Sequence, residues 1–358
     1  MKIGILTYHR SQNYGAMLQA VALRHQLEAM GHDARFVDYW PEYHRRMYAI
    51  FPAVSGLKSG ARGWVRQWCK GITLYHTLKK RIGKNQAFIR QYIEPYCLPY
   101  SASERYDMIV YGSDQIWRKQ GGLRNHFNPV YFGENVLRTR RHVSYAASMG
   151  IISLDENDKN MLREWLSGFS KVSVRERDLQ SVLKHIGIRS EVVLDPTLLL
   201  TDEEWTRILP IKPLVKEKYV LHYRLQAEAF DDMAIKRYAD AHGCRLITVL
   251  GWPCRCRGDV FSTMDPVEFL SLIKYAECVF TSSYHGLMFS LIFKRNFFAS
   301  FRENAGRART ILGSLGIEHR LFPTKAHDFG NLEDLDYKVI SPKIDYLRDA
   351  SVNFLKSL

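Results

Sequence analysis

The chain has 358 residues, of which 46% are hydrophobic and 25% are charged, and its formal net charge is +14. This balance is typical of a globular protein and excludes a disordered or low-complexity chain, and the length favours two domains. No apolar run approaches the roughly 18 residues that a membrane-spanning helix needs.

Six cysteines are spaced irregularly along the chain. The one close pair, Cys254 and Cys256, lacks the spacing of zinc ligands and has no second matching pair. The N-terminus runs directly into an apolar strand and does not resemble a signal peptide. These features predict reduced thiols in a cytoplasmic protein.

The first forty residues predict a β-α-β unit. Lys2 to Tyr8 predicts the first strand, Tyr14 to Met30 has the apolar spacing of a helix, and Ala34 to Val37 predicts the second strand. No G-x-G-x-x-G motif is present, so a dinucleotide is not supported. The intervening Asn13-Tyr14-Gly15 is either a simple helix start or a loop whose N–H groups contact a ligand.

Most of the net charge lies in one segment, Tyr43 to Ile93, which contains eleven Lys or Arg residues and no Asp or Glu. Removing these eleven charges from the net +14 leaves +3. Aromatic residues are interleaved with the basic ones. Peripheral contact with an anionic membrane surface explains this pattern, whereas a nucleic-acid partner is the less favoured explanation. A solvated helical hairpin without any partner is an equally simple interpretation.

A second polar motif follows the predicted strand Tyr106 to Tyr111. It reads Gly112-Ser113-Asp114-Gln115-Ile116-Trp117, and Asp114 would point out from the end of the strand. A carboxylate in that position is a candidate general base or an acceptor for sugar hydroxyls. The alternative is an ordinary Asx-turn or cap.

The order of predicted elements divides the chain into two α/β halves with a cleft between them. An N-terminal domain, 1–205, contains the basic helical segment 43–93. Pro210 and Pro213 interrupt any helix in the boundary region between Thr201 and Lys216. A second domain spans 216–325, and a helical tail, 340–358, is expected to pack back on the first domain.

The stretch Cys278 to Phe293 predicts a strand, a tight turn and a helix. His285 then lies near a helix N-terminus at the carboxyl end of a strand, where α/β proteins bind ligands and where the helix dipole favours an anion. The alternative is that Ser282 or Ser283 only caps the helix and that His285 is a core residue.

Five motifs in sequence order resemble those of the polysaccharide pyruvyl transferase family. They are Asn13-Tyr14-Gly15-Ala16-Met17-Leu18-Gln19-Ala20, Gly112-Ser113-Asp114-Gln115-Ile116-Trp117, Ser173-Val174-Arg175-Glu176, Leu194-Asp195-Pro196-Thr197 and Ser283-Tyr284-His285-Gly286. The resemblance covers about residues 3 to 300. Each motif is weak alone, and the five in order are specific.

The resemblance implies an α/β fold of two Rossmann-like domains in a GT-B-like arrangement. It implies transfer of a pyruvyl group from phosphoenolpyruvate to a sugar of a polysaccharide or of its lipid-linked precursor, usually as a ketal. It places His285 at phosphoenolpyruvate and matches Arg224 to a family arginine. Several family members have an arginine where this chain has Ser283, so Ser283 with backbone N–H groups, or another cation such as Arg255 or Arg302, is expected to replace it.

These considerations predict a donor site in the second domain and an acceptor site in the first. His285 and Asp114 are the predicted catalytic residues. The predicted donor-binding residues are Arg224, Ser282, Ser283, Tyr284, His285 and Gly286, and the predicted acceptor-binding residues are Asn13, Tyr14, Gly15, Ser113, Asp114 and Gln115. Phosphoenolpyruvate and a glycan are the expected partners, and the chemistry demands neither a metal nor a separate cofactor.

Two other functions fit parts of the sequence. A glycosyltransferase that uses a nucleotide-sugar would share the fold, and Asp265 and Glu268 would be candidates to contact its ribose. A binding protein built around the basic segment would need none of the polar motifs at the strand ends, so these motifs argue against it.

Overall fold

Two parallel β-sheets, one in each half of the chain, organise the protein. The computed structural model describes residues 1–51, 61–123, 126–226, 229–250, 260–303, 305–329 and 333–358. Cys254, Arg255 and Cys256, which the sequence analysis considered, lie outside these ranges.

The first sheet contains six described strands in the order β3-β2-β1-β4-β5-β6. They are β1 (Lys2–Leu6), β2 (Asp33–Asp38), β3 (Cys97–Pro99), β4 (Met108–Tyr111), β5 (His142–Ser144) and β6 (Phe169–Lys171). All residues of β4 are buried, as expected for a central strand covered on both faces. A short parallel pair, β7 (Ser173–Val174) and β8 (Glu191–Val192), lies beside this sheet.

The second sheet repeats the same strand order, β11-β10-β9-β12-β13-β14. Its strands are β9 (Tyr219–Arg224), β10 (Arg245–Leu250), β11 (Val260–Phe261), β12 (Cys278–Thr281), β13 (Asn296–Ser300) and β14 (Leu321–Phe322). In this Rossmann order, successive strands are added on one side of the first strand up to the third, and on its other side from the fourth onward. Ligands bind beyond the carboxyl ends of the first and fourth strands, where the order switches. The loops after β1, β4, β9 and β12 are therefore the expected ligand-binding loops.

Helices cover the faces of both sheets. In the first half they are α1 (Tyr14–Ala29), α2 (Glu42–Met47), α3 (Ala61–Thr73), α4 (Tyr75–Tyr92), α5 (Glu156–Ser167), α6 (Arg177–His185) and α7 (Asp202–Ile208). In the second half they are α8 (Asp232–Ala241), α9 (Pro266–Lys274), α10 (Tyr284–Ile292), α11 (Gly306–Leu315) and α12 (Tyr337–Lys356). None of the helices in the described ranges is apolar over a length that would span a bilayer.

The two halves share one buried core at their contact. The Tyr14 ring of α1 lies 5.3 Å from the Phe269 ring of α9, and its hydroxyl donates to the Met264 carbonyl at 3.0 Å. At the rim, Lys84 of α4 donates to both carboxylate oxygens of Glu268, at 2.5 and 2.7 Å. These contacts fix the cleft between the two sheets, and the predicted fold of two Rossmann-like domains in a GT-B-like arrangement is confirmed.

The boundary region contains a helix that the sequence analysis did not predict. Helix α7 occupies its first part, and its start has a capping box in which Thr201 and Glu204 satisfy each other's backbone N–H groups. The signal was present as Thr-x-x-Glu, followed by the fully buried Trp205. The helix ends before Pro210, so the prolines set its end rather than prevent it.

The C-terminal helix α12 contacts both halves. At its start, the Tyr337 hydroxyl donates to the Arg295 carbonyl of the second half at 2.6 Å. Further along, Arg348 donates to the Leu198 carbonyl at 2.8 Å, and Ser351 accepts from the Leu194 N–H at 2.9 Å. The helix therefore ties the two halves together on one side.

Candidate active site

A cavity of about 280 Å³ lies between the two halves, at the carboxyl ends of the strands. The loops after all four switch-point strands line it. They contribute Tyr8, Ser11 and Asn13 after β1, Asp114 and Gln115 after β4, Leu225 and Gln226 after β9, and Ser282 to His285 after β12. The topology therefore accounts for the position of the cavity.

Two helix N-termini meet at this cavity. Asn13 caps α1 by accepting from the Gly15 N–H at 3.0 Å, and Ser283 caps α10 by accepting from the Gly286 N–H at 3.3 Å. Gly15 lies so close to His285 that a Cβ atom at Gly15 would overlap the imidazole ring. The positive ends of two helices thus converge on one histidine, which favours an anionic ligand there.

His285 is held from behind by a buried carboxylate. Its Nε2 lies 3.5 Å from Oδ2 of Asp195, which lies 3.1 Å from Nη2 of Arg175. The other oxygen of Asp195 accepts from the N–H and the hydroxyl of Thr197, at 2.9 and 2.7 Å. Arg175 also contacts the hydroxyl of Ser113. His285 is therefore packed against charged residues of the first half, with its Nε2 beside the Asp195 carboxylate.

The charges in this network stabilise one another. Burial alone would raise the pKa of the Asp195 carboxyl, but the positive charges of Arg175 and His285 and its hydrogen bonds hold that pKa well below its usual range. Burial would likewise lower the pKa of Arg175, and the negative charge of Asp195, together with those of Asp114 and Glu176 and the effect of Tyr284, outweighs it. The carboxylate and the guanidinium are consequently both charged at neutral pH.

A second arginine completes the positive side of the cavity. The guanidinium groups of Arg175 and Arg307 both lie over the Tyr284 ring. Their central carbons are 5.2 and 4.8 Å, respectively, from the ring centroid. Burial, together with the neighbouring charge of Arg175, lowers the pKa of Arg307. Arg307 lines the cavity, as does Arg118. Two arginines close to each other are stabilised by an anion between or beside them.

Asp114 lies on the opposite, first-half side of the cavity. Its backbone is in the left-handed region, with φ at 72°, and its carboxylate accepts from the Gln115 N–H at 2.8 Å. Its carbonyl accepts from the Ser148 N–H at 3.0 Å. A non-glycine residue in this conformation is uncommon, and its hydrogen bonds hold the carboxylate at the cavity wall.

Neutral aromatic side chains form the rest of that wall. Burial lowers the pKa of His44 to about 4 and raises the pKa of Tyr48 to about 12, so neither is charged at neutral pH. The Tyr8 ring lies 4.6 Å from the His44 ring, and the Tyr48 hydroxyl lies 2.5 Å from the Ser11 hydroxyl. Apart from the exposed Arg118, this side offers hydroxyl groups and a carboxylate rather than positive charge.

The cavity brings together most of the residues singled out from the sequence. Asn13, Asp114, Gln115, Ser282, Ser283, Tyr284 and His285 line it. Gly15 and Gly286 shape it from behind, since an added Cβ at Gly286 would overlap the Thr281 hydroxyl. Ser113 is fully buried beneath the cavity and contacts Arg175. Tyr14 belongs to the contact between the halves and lines a neighbouring cavity instead.

Arg224, the cation predicted for the donor site, does not line the cavity. Its guanidinium donates to Asp232 at 2.8 Å, on the face of β9 that also presents His222. Because side chains alternate along a strand, Arg224 lies opposite Tyr223, whose ring approaches Gly286. Arg302 is exposed and does not line the cavity, whereas Arg307 does.

The sequence analysis assigned no role to Arg175, Glu176 or Asp195, although all three belong to the motifs quoted above. Glu176 is buried, and one of its oxygens accepts from the Ser148 hydroxyl at 2.8 Å and from the Met149 and Gly150 N–H groups at 3.1 and 3.3 Å. The usable signal was their position, since Arg175 and Glu176 come just after β7 and Asp195 lies three residues after β8, and the carboxyl ends of parallel strands meet at one edge.

Among the residues that the structure describes, one cluster of possible metal ligands lies outside the cavity. Side-chain atoms of His9, Asp38 and Cys97 lie within 4.8 Å of one another. Arg10 already pairs with both oxygens of Asp38, at 2.5 and 2.7 Å, and burial raises the pKa of Cys97 to about 12. A paired carboxylate beside a protonated thiol favours the ion pair over a bound cation.

The fold and the cavity define a two-domain enzyme of the Rossmann type. The family model described as polysaccharide pyruvyl transferase matches residues 13–300. The chain therefore belongs to the polysaccharide pyruvyl transferase family, and the protein is a transferase. A search of curated protein sequences gave no significant match.

Solved structures with a similar fold include the S. aureus MnaA–UDP complex, at a TM-score of 0.52 and 12% identity, over 99% of this chain and 96% of that one. UDP-GlcNAc 2-epimerase of Methanocaldococcus jannaschii, solved with UDP-GlcNAc and UDP, has a TM-score of 0.46 and 13% identity, over 99% and 93%. The glycosyltransferase SnogD of Streptomyces nogalater has a TM-score of 0.42 and 13% sequence identity, over 98% of this chain and 95% of that one. At such identities the likeness to MnaA concerns the fold alone.

Proposed function

We propose that this enzyme transfers the pyruvyl group of phosphoenolpyruvate to two hydroxyls of one sugar, in a polysaccharide or its lipid-linked precursor, and forms a cyclic ketal. The observation that supports it best is the convergence of two helix N-termini on His285, in a cavity that Arg307 and Asp114 also line. Phosphoenolpyruvate carries a phosphate and a carboxylate, and this arrangement complements both.

In the first step, the oxygen of one sugar hydroxyl bonds to C2 of phosphoenolpyruvate and its proton goes to Asp114. His285 donates a proton to the methylene carbon, which becomes a methyl group. Asp195, 3.5 Å from Nε2, keeps the ring oriented and balances its charge while it carries the proton. The helix N-termini and Arg307 stabilise the phosphate and the carboxylate throughout.

In the second step, the other hydroxyl oxygen bonds to C2 as the bond between C2 and the phosphate oxygen breaks. Its proton leaves with the phosphate. The sugar has then lost two hydroxyl protons, one of which is accounted for by the new methyl group and the other by the phosphate. A proton that passes from Asp114 to His285 returns both residues to their starting forms.

Incubation with phosphoenolpyruvate and a panel of sugars and sugar-lipids tests this function. Phosphate release should accompany a mass gain of one pyruvyl group on one acceptor. Phosphate release without any modified acceptor would contradict the transfer. The alternative of a nucleotide-sugar donor has no support in the cavity, because Glu268 pairs with Lys84 and Asp265 caps α9.

The enzyme is also proposed to contact an anionic membrane surface through its basic segment. On α3, Arg62 and Arg66 are exposed one turn apart, and Val65 and Ile72 are 50% and 63% exposed beside them. Exposed basic and apolar side chains on one helix suit the interface of an anionic bilayer, where each cation adds about 1 kcal/mol.

Vesicle flotation tests this contact. Binding should require anionic lipid, fall with salt, and weaken in Arg62→Gln/Arg66→Gln. A matched control, Lys184→Gln/Arg237→Gln, removes the same charge from exposed positions on α6 and α8. Equal flotation with neutral vesicles, or an equal loss in both variants, would contradict the electrostatic contact.

A further inference from the structure

A second cavity, of about 270 Å³, lies beside the first. Its floor is the N-terminus of α1 and the end of β9, and its walls are the segment after α2 and one face of α4. Leu78, Arg81 and Ile82 are spaced i, i+3 and i+4 on α4 and therefore project from the same face. From the other wall, Ala49 and Ile50 approach them.

The two cavities are continuous. Asn13, Met47, Tyr48 and Leu225 line both of them. Tyr48 lies at the junction, since it lines both cavities. Its hydroxyl is close enough to Asp114 of the first cavity and Arg81 of the second for both charges to influence its pKa, which burial raises. A ligand with its reactive part beside Asp114 can therefore extend past Tyr48 toward Arg81.

The chemistry of the two cavities differs. Aliphatic side chains from Met47, Ile50, Leu78 and Ile82 dominate the second cavity, which suits a hydrocarbon chain better than a chain of sugars. Its cation is Arg81, whose guanidinium carbon lies 5.5 Å from the centroid of the Tyr14 ring. The aliphatic wall suits a hydrocarbon chain, and Arg81 suits a phosphate. Together they complement an amphiphile that carries a phosphate.

We propose that the second cavity binds the lipid-phosphate part of the acceptor, an aliphatic chain joined through phosphate to the sugar that reacts in the first cavity. The proposal rests on the function proposed above and makes the acceptor class specific. The walls of this cavity, α4 and the segment after α2, belong to the same basic segment that is proposed to contact the membrane, so a chain in the cavity has a short path to a bilayer.

Binding of a short prenyl phosphate to the full-length protein tests the proposal, with the corresponding prenyl alcohol and inorganic phosphate as the other two probes. The wild type should bind the prenyl phosphate at least tenfold more tightly than either. Ala49→Trp, which fills the cavity from an exposed position, should weaken binding at least tenfold. Arg81→Gln should reduce the preference for the phosphate over the alcohol. Ala241→Trp, at an exposed position of α8 outside the cavity, is the matched control.

Equal affinity of the wild type for the alcohol and the prenyl phosphate would overturn the proposal, and so would binding that Ala49→Trp leaves unchanged while the variant melts like the wild type. Pyruvyl transfer to a water-soluble sugar without any prenyl phosphate binding would overturn it as well, and would leave the proposed function intact. Prenyl phosphate binding that Ala49→Trp abolishes, without transfer to any sugar, would support the lipid-phosphate site and contradict the proposed function.

Discussion

The two sides of the first cavity differ in how they carry charge. On the proposed donor side, the buried Arg175 is paired with the buried Asp195, which also lies beside His285. On the proposed acceptor side, His44 and Tyr48 are neutral, Asp114 is a half-buried carboxylate, and the exposed Arg118 also lines the cavity. The difference separates two tasks, since an anion needs fixed positive charge whereas a sugar hydroxyl needs a base in neutral surroundings.

The donor side is nevertheless not a product of the second half alone. Arg175 and Asp195 follow β7 and β8 of the first half, yet they hold a histidine that begins α10 of the second. Separating the halves would leave a buried carboxylate and a buried guanidinium without one of their neighbours. The protein therefore keeps its halves in contact for the donor site as well as for the core.

The largest expected effect is on His285. His285→Ala should lower turnover by about two to four orders of magnitude, because the step loses its general acid. Steady-state phosphate release in the presence of an acceptor measures it. His242→Ala, at an exposed position after α8, is the control and should match the wild type. A loss of less than about tenfold in His285→Ala would mean that the histidine is structural.

The next effect concerns stability. Asp195→Asn should destabilise the protein by about 3–5 kcal/mol at neutral pH, because it leaves Arg175 buried without its counter-ion. The folded-state pKa of Asp195 is depressed, so its contribution is complete above the ordinary carboxyl pKa of about 4 and is lost as the pH falls below that value. Urea unfolding of both proteins at several pH values measures this.

The gap in unfolding free energy between wild type and Asp195→Asn should therefore narrow as the pH falls from 5 toward 3. A gap that stays constant over that range would show that the mutation acts by packing alone. Thr197→Val, which removes a hydroxyl donor to the same carboxylate and leaves Arg175 paired, serves as a milder comparison.

On the acceptor side, Asp114→Asn should lower turnover by about two orders of magnitude, since the amide cannot accept the hydroxyl proton. Phosphoenolpyruvate binding, measured by calorimetry, should change much less than turnover, because the two helix N-termini and Arg307 remain in place. Near-normal turnover would require another base. Asp107→Asn, on the surface of the same half, is the matched control.

The sequence was sufficient for the fold because alternating strands and helices determine a parallel sheet, and the strand order determines which loops meet. Asp114 and His285 were found because each follows a buried strand. The contact of His285 with Asp195 and Arg175 was not predicted from the sequence. It joins residues about a hundred positions apart and depends on how the two sheets dock. The need for glycine at position 15 likewise arises only when α1 meets His285.

The direction of Arg224, by contrast, was within reach of the sequence. His222 and Arg224 share one face of β9, and Tyr223 the other, so the residue parity of the strand decides which of them points toward α10. The carboxyl end of a strand identifies a position near the site but does not by itself aim the side chain into it. Arg307 lines the cavity although it follows no strand, because it lies at the start of helix α11.

The smallest effect distinguishes these two arginines. Arg307→Gln should weaken phosphoenolpyruvate binding by about tenfold, since it removes a charge-assisted contact from the cavity wall. Arg224→Gln should weaken it by no more than about twofold, because that guanidinium is engaged by Asp232. Calorimetric titration with phosphoenolpyruvate at two salt concentrations measures both, and the difference should shrink at high salt. The reverse order of effects would restore Arg224 as the donor-binding cation and would mean that its pair with Asp232 opens when the donor binds.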